Sequence, residues 1–111
     1  MADGSMVGHG RRVEGALVAY RLGPANRERV TRFAEKVLGQ NRRVNGRVYR
    51  RRGLLDGIPH WKLSRGVLIL RAEDRPRVVR AIRRWTRAVR WWPITLPRSQ
   101  LRFLRVHSQD F

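Results

Sequence analysis

Arginine and aromatic residues come together at two places in the chain. In the first, Arg47, Tyr49, Arg51 and Arg52 stand a short way before Trp61 and Lys62. In the second, an arginine-rich run that includes Arg80, Arg84 and Arg87 leads directly into Trp91 and Trp92. A guanidinium is a flat fork of N–H donors that fits phosphate oxygens and also stacks on planar rings. An indole or phenol ring offers an apolar face to any planar partner. These side chains together suit a ligand with repeated phosphates and repeated flat rings, as in single-stranded nucleic acid lying in a positive groove with aromatic platforms. Tyr49, Trp61 and Trp91 are the stacking candidates. Trp85, at helical spacing from Val78 and Ile82, reads as core, and so does Trp92, in phase with Ile94.

Other chemistry has little to work with. There is no cysteine, which excludes disulfides, thiol catalysis and cysteine-ligated zinc. Asp56, His60, Glu73 and Asp74 lack the convergent spacing of a metal-dependent nuclease. The three histidines have no ligand spacing, and Gly53 and Gly57 are too isolated to cradle a phosphate. The expectation is no enzyme, no metal, no cofactor and no small-molecule substrate. Helix-turn-helix and zinc-finger spacings are missing as well.

The charge balance supports a polyanionic partner. Twenty-six Lys and Arg face eight Asp and Glu, for a net charge of +18 and a pI near 12.0. A compact domain must spread this charge over its surface, where it repels itself. A polyanion relieves the repulsion and releases its own counterions. Codon bias explains why all the basic residues but Lys36 and Lys62 are arginine. It does not explain the shortage of acids.

These side chains have to be positioned by one domain, since 111 residues with 41% hydrophobic content make a single modest core. Residues 1–12 read as a flexible start, 13–106 as the domain and 107–111 as a tail. Val13 to Arg21 is a strand, apolar on both faces at Ala16 to Ala19. Asn26 caps a helix whose stripe is Val30, Phe33, Ala34, Val37 and Leu38, with Glu28 and Arg32 paired outside and Gly39 as the stop. Arg42 to Arg52 is a basic strand, with Val44 and Val48 on one face and Arg47, Tyr49 and Arg51 on the other. Residues 53–65 lack a period and read as a long loop that is either functional or simply packed down. Gly66 to Arg71 is a third strand, again apolar on both faces. Glu73 and Asp74 cap a second helix over 75–90, with Pro76 in its first turn and Arg80, Arg84 and Arg87 on one face. Trp91 to Leu96 is a fourth strand, and residues 98–106 form a further short element.

The order is β-α-β-β-α-β, so the expected fold is α+β, a split βαβ with one antiparallel four-stranded sheet and two helices on one face. Its first and third strands lie centrally, in keeping with their apolar faces. The third strand has no aromatic residue, which sets the chain apart from the RNA-recognition motif. Two helices cover one sheet face only. The other is expected to be covered by residues 98–106 or to join a homo-oligomer.

The stretch from Tyr49 through Leu96, GLLDGIPHWKLSRGVLIL followed by the capped helix and WWPITL, resembles the small archaeal ThermoDBP-related proteins. The resemblance spans about the middle half of the chain. It implies single-stranded DNA binding, with RNA as a second ligand, through a basic cleft with aromatic and apolar lining in an oligomer. The expected function is single-strand binding with little sequence preference. The rivals are a ribosome-associated or structured-RNA-binding protein and a structural partner of an acidic protein. With no leader or membrane-length apolar run, the expected location is the cytoplasm, at the nucleoid or ribosome.

Overall fold

The computed structural model describes residues 12–24 and 26–99. Nearly all of the expected flexible start, the 107–111 tail and most of the 98–106 element lie outside these residues.

The chain runs β1 (Arg12–Tyr20), α1 (Arg27–Phe33), a π-helical turn (Ala34–Leu38), β2 (Gln40–Val44), β3 (Arg47–Arg51), a 3-10 turn (Leu54–Gly57), β4 (His60–Ser64), β5 (Val67–Arg71), α2 (Arg75–Arg83) and β6 (Val89–Pro97). Four strands form an antiparallel sheet in the order β4-β5-β1-β6. With the α1 and α2 crossovers this is the split βαβ arrangement. Strands β5 and β1 are central, as their apolar faces require.

The second strand of the sheet is not the one expected. Residues 42–52 do not enter the sheet. They belong to a separate two-stranded arm, β2–β3. The arm turns at Asn45-Gly46, where both residues have positive φ (51° and 80°). A two-residue Asn-Gly loop with this geometry matches the twist of a tight hairpin. Val44 therefore pairs with Arg47 and Val48 with Arg43, so the two valines face opposite sides and not the same one. The sheet edge is instead β4, inside the segment expected to be a loop.

The core lies between one sheet face and the helices. Val18, Leu68, Leu70 and Val89 from the strands meet Phe33 of α1, Val37 of the π-helical turn and Val78, Val79 and Ile82 of α2. Leu55 and Ile58 close one end. Asn26 caps α1 through a 2.7 Å bond from the Arg29 amide, and Glu28 pairs with Arg32 at 3.1 Å. The π turn shifts the apolar phase after Phe33, and Val30 is left 42% exposed instead of joining the core. Helix α2 ends at Arg83, well short of residue 90. The Thr86 hydroxyl donates to the Arg21 carbonyl and accepts from the Ala88 amide, turning the chain into β6. Asp74 sits before α2 without capping it by a side-chain bond, because its carboxylate accepts from Arg71 Nε at 2.8 Å. Among the described residues no helix is long and apolar enough to cross a membrane.

Candidate nucleic-acid interface

The arm is nearly all exposed and has no apolar core of its own. Pairing places Arg42 opposite Tyr49, Val44 opposite Arg47 and Gln40 opposite Arg51. Side chains of directly paired residues share a face, and the face alternates along each strand. Arg47, Tyr49 and Arg51 thus lie together as expected, and Arg42 joins them. Arg51 also approaches Glu35 at 3.7 Å. Arg52 follows β3, exposed at the base of the arm.

A clasp holds that base. Arg50 Nη2 donates to Asp56 Oδ1 at 2.7 Å and to the Leu38 carbonyl at 3.0 Å. Asp56 is 1% exposed, and its second oxygen accepts from the Gly53 amide at 2.8 Å. Gly39 (φ 83°) and Gly53 allow the two chain segments to cross here. A Cβ on Gly39 would overlap Asp56 and Arg50, and one on Gly53 would overlap the Gly39 and Val37 backbone. Asp56 is therefore an anchor for the arm. Among the described residues no group of His, Asp and Glu could hold a metal ion.

The sheet face away from the helices carries the second feature. Trp61 pairs with Ile69, Ile69 with Leu17, and Leu17 with Trp92. One row thus crosses all four strands with a tryptophan at each end. Trp61 is 38% and Trp92 49% exposed. The expectation that Trp92 is core fails: it shares a face with Ile94, as its phase requires, but that face is the one the helices leave uncovered. Arg90 lies in the next row, opposite Ala19. Lys62 pairs with the core residue Leu68, so it projects from the other face than Trp61.

The third feature is a cleft of about 250 Å³ between α2 and β6, lined by Arg75, Pro76, Val79, Arg80, Arg83 and Trp91. The Arg75 guanidinium lies 3.8 Å above the Trp91 ring. Trp91 pairs with Val18 and so belongs to the helix side of the sheet. Arg84 is the residue that closes α2, and Arg87 lies beyond it in the loop. Arg80, Arg84 and Arg87 therefore do not form one helical face. Trp85 packs on the core, with its ring edge-on to Phe33 at 6.1 Å and Arg29 above it at 5.6 Å.

Seven of the ten expected residues thus fall into three patches: Arg47, Tyr49, Arg51 and Arg52 on the arm, Trp61 on the sheet face away from the helices, and Arg80 and Trp91 at the α2–β6 cleft; Lys62, Arg84 and Arg87 join none of them. Arg42, Trp92, Arg75 and Arg83 belong to these patches but escaped the sequence reading. Two signals could have found the first two: the Asn45-Gly46 turn for Arg42, and the one-sided covering of the sheet for Trp92.

No protein-family model matches the chain, and neither a curated protein nor a solved structure does.

Proposed function

We propose that the protein binds single-stranded nucleic acid, DNA foremost and RNA as a second ligand, with little sequence preference. The observation that carries this reading is the row Trp61–Ile69–Leu17–Trp92 on the sheet face away from the helices, with its two tryptophans exposed and Ile69 buried between them, in a chain with a net charge of +18. Bases stack on the two indoles, and phosphates are held by Arg90 beside the row and by the arginines of the arm. A sheet whose exposed aromatics stack bases is a recurrent way to hold single strands. The resemblance of residues 49–96 to ThermoDBP-related proteins points to the same ligand.

The arm favours a second reading, a structured-RNA or ribosome-associated protein. A two-stranded basic ribbon with Arg42, Arg47 and Arg51 around Tyr49 suits the phosphates of a folded nucleic acid. The homo-oligomer proposal uses the uncovered sheet face too, and so competes with the strand for Trp61 and Trp92.

The test is fluorescence anisotropy with an unstructured single-stranded DNA, the same sequence as RNA and its duplex, each at two salt concentrations. Tight single-strand binding that partly survives high salt supports stacking added to charge. Equal binding to all three that collapses with salt leaves electrostatics alone and removes the aromatic row from the site. Preference for folded RNA supports the second reading. Light scattering without nucleic acid gives the oligomeric state; a dimer that dissociates when the strand is added shows that both use one face.

A further inference from the structure

The α2–β6 cleft differs from the other two patches in concavity and in its concentration of charge. Arg75, Arg80 and Arg83 line one cleft of about 250 Å³. Among the described residues none of the three makes an ion pair with a carboxylate, whereas Arg71 just before them holds both Glu73 and Asp74. Pro76 and Val79 supply an apolar floor. Arg75 is fixed by lying 3.8 Å above the Trp91 ring. That contact takes up a face of Trp91 that a base would need, so the indole serves as a rest for a guanidinium more than as a platform for a base.

Resting on the nucleic-acid reading, the geometry points to the α2–β6 cleft as a site for a phosphate monoester, carried at the end of a bound strand. The argument is charge matching. A phosphodiester within a strand carries one negative charge and has two free oxygens. A monoester carries about −1.5 to −2 at neutral pH and three strong acceptor oxygens. Three guanidiniums around one cleft with no carboxylate among them suit the monoester better. Planar forks are also the side chains that hold phosphate through paired bonds. The apolar floor accommodates the sugar or base of the terminal nucleotide. Trp91 acts here as a positioning residue for Arg75.

The experiment compares one oligonucleotide sequence in four forms with the full chain: 5′-phosphorylated, 3′-phosphorylated, with hydroxyls at both ends, and circularised. One phosphorylated form is expected to bind about tenfold more tightly than the hydroxyl and circular forms, the gain from one or two charge-assisted hydrogen bonds. Arg75→Gln and Arg83→Gln should each bring the phosphorylated form down to the affinity that the same variant shows for the circle. Trp91→Phe should keep the preference and Trp91→Ala should lose it. Equal affinity for all four forms overturns the inference but leaves single-strand binding standing. Failure of every form to bind overturns both. A nucleoside monophosphate that displaces the phosphorylated strand at the strand's own concentration assigns the cleft to free nucleotides and overturns the strand-end assignment.

Discussion

Replacing Trp61 and Trp92 together tests the stacking row most directly. The two residues are separated by three strand spacings, about 14 Å at roughly 4.8 Å per step. One base cannot reach both, so each indole must stack its own. Each stack contributes about 1–3 kcal/mol by alanine substitution. Sites this far apart add nearly independently. Trp61→Ala and Trp92→Ala should therefore each weaken single-strand binding by about 1–3 kcal/mol. The double variant should lose about 2–6 kcal/mol, at least about thirtyfold in Kd. Each indole is about half-buried, so thermal unfolding is followed for every variant and binding is compared at a temperature where all are folded. Anisotropy titrations at moderate salt give the four corners of the cycle. Trp→Phe at either position should recover most of the loss and Trp→Leu should not, since leucine keeps apolar area but lacks a π-face. Single variants that bind within twofold of the parent would refute the row as a stacking surface. Recovery by leucine as complete as by phenylalanine would reduce it to apolar contact.

The arm should set the salt response. Changing Arg42, Arg47 and Arg51 to Gln should flatten the plot of log K against log salt by about 2, near 0.7 for each phosphate contact on a single strand; an unchanged slope would take the arm out of the interface. Asp56→Ala leaves the half-buried Arg50 guanidinium without its carboxylate and should cost about 3 kcal/mol in urea unfolding, whereas a loss below about 1 kcal/mol would show that the clasp is not what anchors the arm. Burial pushes the Tyr20 phenol above its ordinary 10.0, against a smaller opposing effect of Arg65. The fold therefore keeps the proton longer than the unfolded chain, so this contribution is intact below pH about 10 and is lost as pH rises through the folded value. Tyr20→Phe should flatten the alkaline fall in stability, and identical alkaline profiles would count against it.

The overall topology could be read from periodicity because its central strands bury both faces. Ala16 to Ala19 and Val67 to Leu70 have no polar side, and only the middle of a sheet covered on one face and partly shielded on the other accepts them. The edge strand could not be read this way. His60 to Ser64 pairs through its backbone while its side chains stay largely at the surface, so no alternation marks it. The arm was legible in principle from Asn45-Gly46, but Val44 and Val48, four residues apart, share a face in an uninterrupted strand, and that phase conceals the turn between them. A similar coincidence extends the second helix. Val78, Ile82 and Trp85 keep helical phase through the end of α2, and Val89 falls on the same side although it belongs to a strand. Of the expected site, the arm face was recoverable from alternation alone. The cleft was not, because its members come from α2 and β6 and meet only when the crossover packs down.

On the proposed function, the arrangement of charge favours a polyanion over a second copy on the sheet face away from the helices. Several acids take up arginines: Asp56 holds Arg50 at the base of the arm, Glu73 and Asp74 hold Arg71 where β5 leads to α2, and Glu28 holds Arg32 along α1. These arginines are paired with a carboxylate. Arg42 and Arg47 on the arm, and Arg75, Arg80 and Arg83 at the cleft, have no such pairing among the described residues. The arm leads through the Leu54–Gly57 turn into β4, one edge of the sheet, and the cleft borders β6, the other. The tryptophan row runs between these two edges. Face-to-face pairing of two copies through this row would bring together two chains of net charge +18, with Arg90 of each beside the contact, and this is repulsive. A strand that is apolar along its bases and negative along its backbone would meet attraction there and not repulsion. A strand bound across the row, as proposed, would remove apolar surface of Trp61 and Trp92 from water and lower the electrostatic energy at once, which a second copy would not.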